Sequence, residues 1–496
     1  LTRGNYRMLL AGPAGTLFIG QQKADVTGFV IQKYTLEKRE AKEYASGVTQ
    51  VSVSGDGNKI LAKIGSDWKI MNTASATGAD GKSVRISLKT LLDRSEEWKQ
   101  IFEEAWRYER DYFYDPGMHG RNWDEVYKKY SPLVPYIRHR TDLTYVLDQL
   151  NGELSVGHSF VGGGDFPQVE RSAMGLLGAD LVAESGRWKI KRIYTTESWN
   201  PELSGPLDRP GIKVQEGWYL VGINGRELTD ANDPYRYLDG TLDVQTTIHI
   251  NRTPDFTGSW QEVVKPVGSE TNLRIRAWVE DNRRLVDKLS NGRLAYVWVP
   301  NTGSGGFVSF NRYFFAQQDK EGAVIDERFN GGGLLDDYMV DLMNRRLRAA
   351  ITNEAPGGTP FRLPAGILGP KVLLINEMSG SGGDFFPWVF RQQKIGPLIG
   401  TRTWGGLVKS SVHYPLVDGG SITAPDNAVF DPVSNKWIAE NEGIAPDIEV
   451  RQDAASLSKG IDPQLERAVR EELKLLDQQD KVKVTPPAYP TPAVSR

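Results

Sequence analysis

The chain has 496 residues, more than one hydrophobic core usually organises, so three or four domains are expected. Its 39% hydrophobic and 25% charged residues describe a globular protein, and 60 Lys+Arg against 63 Asp+Glu give a net charge of -3, which removes the electrostatic motive for binding nucleic acid or an anionic membrane. Cysteine is absent, which excludes disulfides, thiolate metal sites, iron–sulfur clusters and cysteine nucleophiles. The five histidines (His119, His139, His158, His249, His413) show no metal-ligand spacing, so no metal or cofactor is expected and hydroxyl, carboxylate, imidazole and backbone chemistry remains. No run of eighteen apolar residues appears, so no membrane span is expected.

Residues 1–86 carry short apolar runs (Met8-Leu9-Leu10, Leu17-Phe18-Ile19, Ile60-Leu61) between turns such as Gly12-Pro13 and Gly55-Asp56-Gly57. Strands at this spacing predict a meander or the end of a β-propeller, with a larger β-domain ahead of Leu1. Gly78-Ala79-Asp80-Gly81-Lys82-Ser83 invites comparison with a phosphate loop, but Ala76 stands where the first glycine belongs, so a polar turn is expected. Over 87–168 the period becomes helical: Trp98, Phe102, Ala105, Trp106 and Tyr112 share a face after Ser95, and helices follow near Trp123 and Leu143. His158 then stands in a turn opening onto Gly162-Gly163-Gly164, where a loop histidine can reach a cleft.

Residues 169–270 read as a small β-domain: Trp188 to Tyr194 alternates, and Ile223-Asn224-Gly225 signals a hairpin. The unit resembles a PDZ domain, whose Gly-Leu-Gly-like loop matches Gly175, Leu176, Leu177 and Gly178. In that family such a loop binds a peptide carboxylate. Trp218 stands where the family usually has aspartate.

Residues 271–475 alternate buried-strand runs with helical segments, an α/β layer. Two strands end in small-residue loops, Asp326-Glu327-Arg328-Phe329-Asn330-Gly331-Gly332-Gly333 and Asn376-Glu377-Met378-Ser379-Gly380-Ser381-Gly382-Gly383-Asp384. Glycine-lined amides of this kind build an oxyanion hole around a serine, and the lysine of a phosphate site is missing. Arg345, Arg346 and Arg348 form a basic run read as helical, and 476–496 reads as a flexible Pro-rich tail.

These two loops resemble those of the tail-specific, or C-terminal-processing, serine peptidases of family S41. Asp326, Arg328, Asn330, Gly332 and Gly333 match its first motif, and Asn376, Ser379, Ser381 and Asp384 its second. The order of helical subdomain, PDZ domain and core is similar to the Tricorn type. The resemblance implies a multidomain α+β fold with a β-propeller remnant and a crotonase- or ClpP-like α/β core. It further implies a peptidase with Ser381 as nucleophile, His158 as general acid/base, Glu440 as orienting carboxylate (Glu442 the alternative) and oxyanion donors at Gly332 and Gly382. The lysine of a Ser–Lys dyad is replaced by Gly406, with Lys409 the nearest substitute, and Gly157 stands where the family has serine. Peptide substrates, a homo-oligomeric ring such as a hexamer, and a cytoplasmic location are implied, with a periplasmic one as the alternative. Two rival classes are a silent PDZ scaffold and a crotonase-type acyl-CoA enzyme.

Overall fold

The computed structural model describes residues 4–23, 26–85, 88–195, 197, 199–355, 357–479 and 484–489, in two compact units, Leu1–Asp93 and Arg94–Arg496. The boundary expected at 86–87 lies outside the described residues, as do 480–483 and 490–496 of the expected tail.

The first unit is one antiparallel meander in sequential order: β1 (Asn5–Ala11), β2 (Thr16–Gln22), β3 (Phe29–Thr35), β4 (Glu40–Val53), β5 (Lys59–Ile64), β6 (Asp67–Asn72) and β7 (Lys82–Val84). Period-two burial puts Phe18, Ile31, Tyr44, Val48 and Ile60 into one core. The Gly78–Asp80 segment is a single 3-10 turn capped by Thr77 and followed by a strand, so it makes no phosphate cradle.

The second unit opens with α1 (Arg94–Tyr112), α2 (Trp123–Tyr130) and α3 (Arg140–Gly152). Asn122 caps α2, and His139 caps α3 in a reciprocal box with Asp142. Their shared core takes in Phe102, Leu147 and Leu150 together with Val408, Leu416, Ile422 and Ala424 from far along the chain. Strand 161–162 pairs with 421–422, and Arg140 meets Asp418 at 2.6 Å with both side chains almost fully buried. The loop that carries His158 is thus fastened to the late segment on both sides.

A six-stranded antiparallel sheet follows: β8 (Ala179–Glu184), β9 (Arg187–Ile193), β10 (Tyr219–Ile223), β11 (Arg226–Glu227), β12 (Thr246–Asn251) and β13 (Trp260–Val264), ordered β13-β12-β10-β9-β8 with β11 beside β10. Asn224 and Gly225 both take positive φ, the backbone that a tight hairpin requires.

The core starts with α4 (Thr271–Leu289), β14 (Leu294–Trp298), α5 (Ser304–Ala316), β15 (Gly322–Asp326) and α6 (Asp336–Met343). It continues with β16 (Lys371–Ile375), α7 (Gly382–Gln392), β17 (Leu398–Gly400), β18 (Ile448–Glu449) and α8 (Pro463–Gln478). The sheet β14-β15-β16-β17-β18 is parallel throughout, and its central strands are buried on both faces, hence their continuous apolar runs. Its carboxyl ends gather the loops after β15, β16 and β17, the position at which open parallel sheets bind ligands. The helix expected over the basic run stops at Met343, leaving Arg345, Arg346 and Arg348 on irregular backbone. Residues 476–478 belong to α8, whose Leu476 packs into the core.

Candidate active site

Ser381 ends the loop after β16 and sits at the head of α7 with φ 60° and ψ -118°, a conformation that non-glycine residues rarely adopt. Asp384 helps to hold it there: Oδ2 accepts the Ser381 N–H at 3.0 Å and the Gly406 N–H at 3.1 Å, while Oδ1 accepts the Gly405 N–H at 2.8 Å and the Thr403 hydroxyl. Burial pushes the Asp384 carboxyl up, opposed by those hydrogen bonds. The neighbouring loop is tied in by Ser379, whose hydroxyl donates to the Glu327 carbonyl at 3.0 Å, and by the Gly380 N–H, which donates to the Asn330 carbonyl at 3.0 Å.

Gly332 lies against the serine: a Cβ there would stand 2.6 Å from Ser381 Cβ and 3.0 Å from Oγ. Its N–H, however, donates to Asn330 Oδ1 at 2.9 Å. The amides of Gly333 and Gly382 have no hydrogen-bond partner among the described residues. A Cβ on Gly382 would come 2.8 Å from the Gly333 nitrogen, 2.1 Å from Thr302 Oγ1 and 2.4 Å from Asp336 Oδ1. Burial pushes Asp336 up to about 6. Neither Thr302 nor Asp336 was singled out by the sequence, because nothing in its spacing places them behind the nucleophile.

His158 is half-buried, its Nδ1 without a partner among the described residues. Burial pushes the imidazole pKa below its ordinary value, and the negative charges of Glu440 and Asp384 pull the other way. Among the described residues no hydrogen bond joins His158 to Ser381 or to Glu440. Glu440 instead accepts the N–H of Gly157 at 3.0 Å and those of Leu407 and Val408 at 2.7 Å each. Its turn is clamped on both sides: the Asn441 side chain donates to the Ser155 carbonyl at 2.8 Å and the Asn441 N–H to the Gly405 carbonyl at 2.8 Å. Glu442 is exposed, and so is Lys409, which lies on the short strand Lys409–Ser411.

Trp404 connects these pieces. Its ring meets His158 edge to face at 5.1 Å, and Cβ atoms on Gly157, Gly380 or Gly406 would fall 2.9, 2.6 and 2.3 Å from the indole. The three glycines together make room for one side chain, and the Gly406 carbonyl accepts the Ser381 N–H at 3.1 Å. Gly157 in place of serine therefore has a local cause: the indole occupies the space of a side chain, and a backbone amide makes the contact to Glu440.

In the small β-domain, Gly178 donates its N–H to Glu270 Oε1 at 2.6 Å, Leu176 to the Val267 carbonyl at 2.8 Å and Gly175 to the Leu238 carbonyl at 3.0 Å, while Leu177 is buried. Three of the four expected carboxylate-binding amides are thus engaged within the chain, one of them by the chain's own carboxylate.

Residues 94–152 match the Tricorn protease C1 domain, 175–269 the Tricorn protease PDZ domain and 293–450 peptidase family S41. The chain is 32% identical to Tricorn protease homolog 1 of Streptomyces coelicolor, over 93% of this chain and 43% of that one. It is 33% identical to the Tricorn protease homolog of Saccharolobus solfataricus, over 92% and 42%. A crystal structure of the tricorn protease superposes with a TM-score of 0.86 at 25% identity, over 96% of this chain and 47% of that one. The chain spans less than half the length of these relatives. No helix among the described residues is long and apolar enough to cross a membrane.

Proposed function

The chain carries the C1, PDZ and S41 peptidase domains of the Tricorn proteases and belongs with that family, and from this premise we propose that it is a serine peptidase that hydrolyses peptides or unfolded fragments through an acyl-enzyme on Ser381. The observation that carries the proposal is the backbone of Ser381, held at positive φ by Asp384 and Gly406 at the head of a helix, against glycine amides.

In this mechanism Ser381 Oγ attacks the scissile carbonyl carbon while His158 takes its proton. The C–N bond then breaks as His158 returns that proton to the leaving amine, and water hydrolyses the ester by the same route. A lowered histidine pKa suits the base, since the imidazole stays neutral at neutral pH. Catalytic hydrogen bonds are commonly long in the absence of substrate, so the serine–histidine bond is assigned to the substrate complex. Glu440 positions His158 through the Gly157 amide and favours the imidazolium by its charge. Gly382 and Gly333 are assigned as oxyanion donors, with Gly332 holding its loop against the serine. Glycine in place of serine at Gly157, the feature that would favour a silent scaffold, is compatible with this mechanism, since its backbone N–H donates to Glu440.

Peptide substrates, a ring of identical subunits and a cytoplasmic location accompany this proposal. Hydrolysis of short fluorogenic peptides tests it: turnover that Ser381→Ala abolishes is expected, and equal turnover by both proteins would refute the assignment.

A further inference from the structure

Far along the chain from the serine, Arg192 of β9 and Glu197 beyond it face α4 and α5 across a cavity of about 300 Å³ lined also by Arg276, Arg284, Arg312 and Glu280. Arg276, Glu280 and Arg284 are spaced four apart, so they stand on one face of α4. Glu197, 9% exposed, is shared by two guanidiniums: Arg312 hydrogen-bonds to it, and Arg276 approaches it at 3.9 Å while donating to the Tyr313 hydroxyl at 2.6 Å. Asp281 is likewise shared, by Arg192 at 2.7 Å and Arg284 at 2.5 Å. Glu280 is already satisfied by Arg283 at 2.9 Å and by the Tyr313 hydroxyl at 2.7 Å.

The four lining guanidiniums and Arg283 thus share three carboxylates, Glu197, Glu280 and Asp281, so positive charge is in excess within this cluster, in a chain whose net charge is -3. Each arginine spends only part of its donor fork on a carboxylate, and Arg192, Arg284 and Arg312 keep exposed surface at the mouth. Guanidinium forks fit the planar or tetrahedral oxygens of carboxylate and phosphate, and shared carboxylates hold them in place before a ligand arrives. The volume suits a group of one or two residues or a single phosphate.

We propose that this cavity is an anion site for paired oxyanions, either the carboxylates of an acidic peptide terminus or a phosphate group. The site is separate from the hydrolytic residues, so its test runs in the Ser381→Ala chain, where binding is read without turnover. Calorimetric titration with inorganic phosphate, with triglutamate bearing a free C-terminus, and with triglutamine amide as control separates the two sources. Saturable one-to-one binding of triglutamate that phosphate displaces assigns the site to acidic peptides. Binding of phosphate alone assigns it to a phosphate-bearing ligand. The control does not bind in either case. Arg192→Gln/Arg284→Gln, at the mouth, weakens binding by about tenfold or more, and Arg312→Gln does the same from the other wall, with thermal unfolding verifying that each variant folds. No saturable binding of either anion, or an affinity unchanged in both variants, overturns the proposal.

Discussion

Glu440 and Trp404 show how much at the residue scale depends on backbone that a sequence does not display. The carboxylate was legible as a type in a motif, but its partners are amides of Gly157, Leu407 and Val408, which carry no side-chain signature. Trp404 carried no signal in the sequence, although Gly157, Gly380 and Gly406, two of them far from it along the chain, leave the room its indole takes. Gly157→Ser is therefore expected to push the indole aside and lower kcat/KM, and the loss should shrink in a Trp404→Ala background. A double-mutant cycle on kcat/KM checks this, and strict additivity would contradict the packing argument. A second expectation concerns pH. Because burial lowers the His158 pKa, the acid limb of kcat/KM should lie below about 6.5. Glu440→Gln removes a charge that opposes the shift, so the limb should move further down, with the rate falling about a hundredfold through misplacement of the imidazole. A limb that moves up would contradict the assigned charge. Gly332→Ala, whose Cβ would collide with Ser381 and displace the nucleophile, should cost about a hundredfold in kcat with little change in KM, read from steady-state kinetics.

Among the elements, those with a strong period were readable. The face of Trp98, Phe102 and Ala105 corresponds to α1, the alternation from Trp188 to β9, and the Asn-Gly pair to the turn between β10 and β11. The basic run misled because arginines are good helix formers, whereas the chain leaves α6 at Asn344 to form the short hairpin of strands Ala349–Ile351 and Phe361–Leu363. A carboxyl is hidden on the apolar face of α1: Glu109 is fully buried with both oxygens unpartnered among the described residues, and burial raises its pKa well above the ordinary range. An acid with a raised folded pKa contributes stability below its unfolded pKa that is lost as pH rises towards the folded value. Glu109→Gln removes that loss. Its melting temperature should match the parent near pH 4 and exceed it by roughly 2 °C or more at pH 8, measured by calorimetry. A difference independent of pH would show that the carboxyl is not held protonated.

The candidate site draws at the scale of the molecule on loops near residues 157, 332, 381, 404 and 440, brought together because α1–α3 share a core with 408–424 and because three parallel strands end side by side. Motif order made the family legible, but not this closure, since a buried pair such as Arg140 and Asp418 is 278 residues apart. The proposed assembly predicts a mass by light scattering that is a multiple of 55.3 kDa, and a monomer at every concentration would remove the ring from the account. The central claim, an activated Ser381 served by His158, is tested most directly by a fluorophosphonate probe with the adduct mapped by mass spectrometry. One adduct is expected, on Ser381, lost in Ser381→Ala and formed much more slowly in His158→Ala. An adduct elsewhere, or none on folded protein, would contradict it.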